Sequence, residues 1–197
     1  DMFNKVLPAV LTGSKENLQE IVEIDDEVDA LYGHIVLFLG KLSKTNLSDE
    51  QAEELMFLLQ TGDRFENIGY IMENNLVRVG TQRIDEKIVV SKSTMKIINK
   101  YHQQVASVLQ DTVEVVENED VDAIKRVRST KEVIASLALE TAQLGIERLT
   151  ADAPNRLNTY ARERETIEHM DRIYRLCRRI AGSVPTKLSE LQPPEAT

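Results

Sequence analysis

A chain of 197 residues with 42% hydrophobic residues is long enough to bury a core and too apolar to stay disordered. A net charge of -9 argues against a general nucleic-acid binder, which needs a basic face for phosphates, and weakly against adsorption to an anionic leaflet. The single cysteine, Cys177, excludes an intrachain disulfide and a thiolate metal cage, and fits a reducing compartment.

Eight Gly and five Pro leave few turn signals, as expected of long helices with short links. Residues 3–11 read as a short helix stopped by Thr12-Gly13, and Ser14 is a natural N-cap for the next. That next helix carries Leu18, Ile21, Val28, Leu31, Ile35, Leu39 and Leu42 at steps of three and four, which predicts one buried stripe. The break at 44–47 is followed by Ser48-Asp49-Glu50-Gln51, a capping box. The helix it opens shows Leu55, Leu58, Phe65, Gly69, Met72, Leu76 and Val79, and Gly80-Thr81 closes it.

A third long helix is expected from Asp85, burying Ile88, Met95, Ile98, Val105, Leu109 and Val116. The acidic run 117–122 is a turn and a restart. The following helix uses Val121, Ile124, Val127, Ile134, Leu137 and Leu144. A loop at 150–154 then admits Pro154 into the first turn of a last helix, with Leu157, Tyr160, Ile167, Met170, Ile173, Tyr174, Cys177 and Ile180 inward. Residues 185–197 are a tail. No β-alternation persists and no apolar run nears the roughly 20 residues of a membrane span. The fold class is all-α. No signal-peptide pattern is present, and helical sequence begins almost at Asp1, so the chain reads as an excised piece of something longer.

Shifting the chain on itself by about 105 residues superposes two halves. Leu18, Ile21, Val28 and Leu31 fall on Ile124, Val127, Ile134 and Leu137. Phe65-Glu66-Asn67-Ile68 falls on Met170-Asp171-Arg172-Ile173, and Met72 on Cys177. The expected organisation is two three-helix repeats, residues 1–82 and 83–184, packed nearly antiparallel as one elongated bundle, with the tail at 185–197.

The polar residues that could carry chemistry lie beside the seams. Asp25 and Asp29 point the same way one turn apart, and Asp63 and Glu66 flank Phe65 on the next helix. Four such carboxylates could hold a hard cation; the competing reading is solvated acids paired with Arg64, Lys41 or Arg78. His34, His102 and His169 never occur as Glu-x-x-His, so the di-iron bundle signature is missing. His102 falls on a seam as a structural histidine, and Cys177 on a hydrophobic stripe is inert core. No nucleophile elbow and no Gly-rich phosphate loop occurs. The expectation is therefore no enzyme, no catalytic residues and no cofactor. From Arg156 to Arg179 run seven arginines, either a salt-bridged face or a docking surface for an acidic or phosphate-bearing partner.

Two three-helix halves with an acid-centred motif on the third helix of each resemble the PhoU family. That family carries Asp-Leu-Glu-Arg-Ile-Gly-Asp, then an Asn-Ile pair, with Glu/Asp-x-x-x-Asp on a preceding helix. Phe65-Glu66-Asn67-Ile68-Gly69 matches the centre of this motif, Asn74 falls on the family's Asn, and residues 25–31 look like the preceding-helix motif. In the second half Met170-Asp171-Arg172-Ile173 matches, with Asp171 in place of Glu. PhoU proteins can hold multinuclear metal clusters on such carboxylates. Here Tyr70 and Arg175 replace the family's second aspartate, and Lys131 and Ala135 stand opposite Asp25 and Asp29. The second half is therefore expected to hold no cluster and the first only part of one, so no metal site is assigned to Asp25, Asp29, Asp63 and Glu66.

The last helix resembles the PhoU-like region that follows the membrane domain of bacterial sodium/phosphate (Na/Pi) cotransporters. What this implies is a cytoplasmic regulatory domain of such a sodium symporter, at the inner membrane, modulating phosphate transport by protein–protein contact. Its partners would be the membrane domain of the same transporter or another phosphate-transport component, with a homodimer as a further partner and no nucleic acid. The alternatives are a free-standing PhoU-type regulator of phosphate uptake and a carboxylate-cluster metal-binding helical protein.

Overall fold

The computed structural model describes residues 1–149 and 156–184, and these are helical throughout apart from short links. The elements are α1 (Met2–Thr12), α2 (Lys15–Leu42), α3 (Asp49–Tyr70), a π-helical segment (Ile71–Leu76) that runs on into α4 (Val77–Asp85), α5 (Lys92–Asn118), α6 (Val121–Ser129), α7 (Lys131–Leu149) and α8 (Arg156–Gly182).

Local chemistry sets most of the ends. Gly13 closes α1, its N–H bonding the Pro8 and Ala9 carbonyls. A side chain there would press to 2.6 Å from the Ala9 backbone, so the close approach requires glycine. Ser14 caps α2 with Asn17 reaching back, and Ser48 and Gln51 exchange bonds of 3.2 and 3.0 Å at the start of α3.

Three boundaries differ from the sequence reading. The third helix continues past Gly80 to Asp85, and the link after it turns through Lys87 at positive φ, so α5 starts at Lys92 behind the cap Ser91. The expected single helix from Val121 divides at Thr130, whose hydroxyl bonds the Val127 carbonyl. A π-helical stretch interrupts the α3–α4 helix around Asn74-Asn75, residues of low helix propensity. The expected loop at 150–154 and the tail at 185–197 lie outside the described residues.

One core runs through both halves, from Val6, Leu7 and Val10 of α1 to Ile173, Cys177 and Ile180 of α8. Superposed positions share burial at Leu18 and Ile124, Ile21 and Val127, Ile68 and Ile173, and Met72 and Cys177. The stripe predicted on α2 is buried only near its start and at Leu39. Leu31, Ile35 and Leu42 are exposed, as is Leu58 on α3. The reason is length: α2 has 28 residues, roughly 42 Å, and α1 has 11, so α1 covers only its first turns.

His102 is the seam histidine expected: Nε2 lies 2.8 Å from the Phe3 carbonyl and its ring stacks on Phe3 at 4.4 Å. Cys177 is fully buried and its thiol is pushed up to about 12 by desolvation, which suppresses the nucleophilic thiolate.

Candidate functional site: an acid cluster beneath Gly69

The acids singled out on α2 and α3 come together beside the π-helical segment. Asp25 sits on the buried side of α2 and is only 4% exposed. Gly69 of α3 leaves the room: a Cβ there would lie 2.4 Å from Asp25 Oδ1. That oxygen is buried and has no hydrogen-bond partner, an unusual state for a carboxylate.

Burial pushes the Asp25 carboxyl up to about 6, helped by repulsion from Asp29, Glu73, Glu66 and Asp26. Glu66 is raised by burial and then by Asp29 and Asp63. Glu73, on the π-helical segment, is raised by burial and then by Asp29 and Asp26. Among the described residues no Lys or Arg bridges Asp25, Asp29, Glu66 or Glu73.

Two of the three cations that sequence offered as partners, Arg64 and Arg78, are used elsewhere. Arg64 donates to Ser183 at 2.7 Å, tying α3 to the end of α8, and Arg78 turns to Gln82 and Glu165. Asp63 accepts a 2.5 Å bond from the Tyr32 hydroxyl, a clamp between α2 and α3, and stands apart as a ligand candidate. Tyr32 and Glu73 escaped sequence reading. Tyr32 at Asp29+3 shares the side of α2 that faces α3, which was the available signal. Glu73 had none, because its direction depends on the π-helical register.

The donor set does not fit a multinuclear metal cluster. No group of three or more His, Cys, Asp or Glu side chains among the described residues is arranged to hold an ion. What the arrangement does is raise the proton affinity of a buried carboxyl whose neighbours all disfavour its charge.

The second half resolves the same position differently. Asp171, which superposes on Glu66, forms a 2.6 Å bridge to Arg175 and accepts a 3.3 Å bond from Tyr101. Tyr174 fills the place of Gly69 and is buried. The arginine run of α8 is mostly spent within the molecule. Arg162 reaches Gln82 and Glu165, Arg164 bridges Glu168 at 2.6 Å, Arg172 bonds Asn75 at 3.2 Å, and Arg178 lies over the Tyr174 ring. Of the seven arginines, Arg162, Arg164 and Arg175 are in ion pairs with nearby acids.

Paired helical hairpins around one core, with an acid cluster at the centre of the first, define a PhoU-type helical bundle. Residues 1–79 match the sequence model of the PhoU domain. The match covers the half that keeps the acids. The fold is similar to that of PhoU from Pseudomonas aeruginosa, with a TM-score of 0.84 at 16% identity over 97% of this chain and 90% of that one. YjbB of Escherichia coli K12 and YjbB of Salmonella typhimurium, proteins named for inorganic phosphate export, are each 21% identical over 178 residues. That alignment takes in 90% of this chain and 33% of those proteins, so the chain spans about a third of the length of the curated relatives it matches. No described helix is long and apolar enough to cross a membrane.

Proposed function

We propose that this chain is a PhoU-type regulatory domain that tunes phosphate movement across a membrane by docking to a transport protein, with no catalytic step of its own. The observation that carries the reading is the match of residues 1–79 to the PhoU domain model, coincident with the half that holds the buried acid cluster. In the finer reading it is the cytoplasmic domain of a sodium-dependent phosphate cotransporter, at the inner face of the membrane and in contact with the membrane-embedded part. Relatives three times as long, named for phosphate export, favour such a fused arrangement. The near end-to-end match to Pseudomonas aeruginosa PhoU favours the second reading, a free-standing regulator.

Deleting the segment in frame in the cell that makes it, then following radiolabelled phosphate influx and efflux under replete and starved conditions, tests the function. The expected result is altered flux or a lost response to phosphate supply; unchanged flux under both conditions overturns the reading. Whether the flux difference requires sodium separates the cotransporter from the free-standing regulator.

A further inference from the structure

α8 packs along the π-helical segment and α4, and His169 lies on the side of α8 that meets Arg78. Both ring nitrogens of His169 are shut off from solvent, and neither has a hydrogen-bond partner. A neutral imidazole carries one donor and one acceptor, so two bonding positions are left empty inside the fold. Two cross-links to the facing helix bracket the ring. One turn before it, Glu165 stands 3.9 Å from Arg78 of α4. One turn after it, Arg172 donates to Asn75 of the π-helical segment at 3.2 Å.

The charges around the ring are unevenly matched. Glu165, Glu168 and Arg172 face it from its own helix and Arg78 from α4. The acids are already committed, Glu165 to Arg162 at 3.0 Å and Glu168 to Arg164 at 2.6 Å. The two facing arginines are not. Arg78 holds the neutral Gln82 at 3.3 Å and Arg172 the neutral Asn75, and neither has a carboxylate within hydrogen-bonding distance among the described residues. Both are exposed, so their guanidinium forks can turn without unpacking the core. Burial, then Arg172 and Arg78, hold the imidazole below its ordinary titration range. An unpaired surface arginine is ordinary. Two of them converging on an imidazole with empty nitrogens, in a chain of net charge -9, make an arrangement suited to an anion.

We propose that Arg78, Arg172 and His169 form a binding site for a small tetrahedral dianion, inorganic phosphate taken free from solution. Each arginine offers a two-pronged N–H fork that matches a pair of phosphate oxygens, and the imidazole supplies a further donor. The anion sets negative charge beside the ring, so His169 takes up a proton as it binds and one empty nitrogen gains an acceptor. The inference rests on these side chains and stands whether or not the chain regulates transport.

The test is the titration of His169, followed through its imidazole nitrogen–proton correlations in sodium chloride, sulfate or phosphate at equal ionic strength. In chloride the ring titrates below its ordinary 6.5. Sulfate or phosphate at about 10 mM raises the midpoint by about one pH unit, tenfold in proton affinity. Sulfate stays a dianion throughout, so its effect is free of any titration of the anion itself. Arg172→Gln and Arg78→Gln each raise the midpoint in chloride, because a repelling charge is gone, and each abolishes the further rise on adding the dianion. An arginine with a merely structural role would not couple the two changes. A midpoint that is the same in all three salts overturns the proposal. A rise that persists in both arginine variants marks an adventitious ion only, and overturns it too. So does a rise produced by vesicles containing phosphatidic acid and not by free phosphate, which makes a lipid headgroup the ligand.

Discussion

The two halves place an acid at superposed positions, Glu66 and Asp171, and surround it in opposite ways. In the first, Asp25 lies under Gly69 among Asp29, Glu66 and Glu73, with one oxygen unpartnered and, among the described residues, no ion pair to a Lys or Arg. In the second, Lys131 stands where Asp25 would be, Tyr174 fills the space of Gly69, and Asp171 is held by Arg175 and Tyr101. A frame stabilised mainly by its apolar core tolerates either arrangement. The first half keeps an electrostatic liability that the apolar core does not require, and liabilities of this kind cluster at functional sites. The second half has converted the position into packing.

The largest expected effect breaks that packing. Tyr174→Ala removes a buried ring from the seam of α8 and should lower unfolding free energy by about 3 kcal/mol in urea titration. The reciprocal change tests the first half: Gly69→Ala drives a methyl onto Asp25 Oδ1 and should cost about 2 kcal/mol despite the helix propensity it gains. Combined with Asp25→Ala the cost should shrink by more than about 1 kcal/mol, the coupling expected of residues in contact. Additive losses would show that Gly69 serves something other than room for Asp25.

Charge neutralisation should act with opposite signs in the two halves. The folded-state value of Asp25, about 6, lies above its ordinary 3.8, so the native state binds the proton more tightly than the unfolded chain. Its stabilising contribution is complete below about pH 4 and is lost as pH rises through 6. Asp25→Asn should therefore raise stability at pH 7.5 by about 2 kcal/mol, change little at pH 3.5, and flatten the decline between. A mutant that loses stability at pH 7.5 would mean the carboxylate has a favourable partner. Asp171→Asn should instead cost about 1 kcal/mol at pH 7.5, because it deprives Arg175 and Tyr101 of their acceptor.

Much of this was legible in the sequence where the cause is local. Ser14, Ser48 with Gln51, and the acidic turn before Asp120 are caps written in a few consecutive residues, and the helices start there. Asp25, Asp29 and Glu66 were legible because carboxylates one turn apart on facing helices must share a seam. The break at Thr130 was not, since residues 128–131 carry neither Gly nor Pro. Glu73 was hidden by the π-helical register, and the fate of each arginine on α8 depended on which neighbour lies opposite. Hydrophobic period gave the side of α2 that is apolar, but not whether anything in the chain is long enough to cover it.

The smallest effect sharpens the comparison at that uncovered side. Leu31 and Leu137 occupy superposed positions and carry the same side chain, so truncating each isolates the environment from the chemistry. Leu137→Ala removes methyls packed against the core and should cost about 1.5 kcal/mol. Leu31→Ala removes methyls that water already surrounds and should stay within about 0.5 kcal/mol. Both are read as shifts of the urea midpoint at constant slope. Equal costs would mean that Leu31 is covered in solution, and a midpoint for Leu31→Ala that depends on protein concentration would identify a second copy as the cover. A cost confined to Leu137 shows that two leucines at superposed positions differ in cover, as their exposures do: Leu31 is exposed and Leu137 packs against the core.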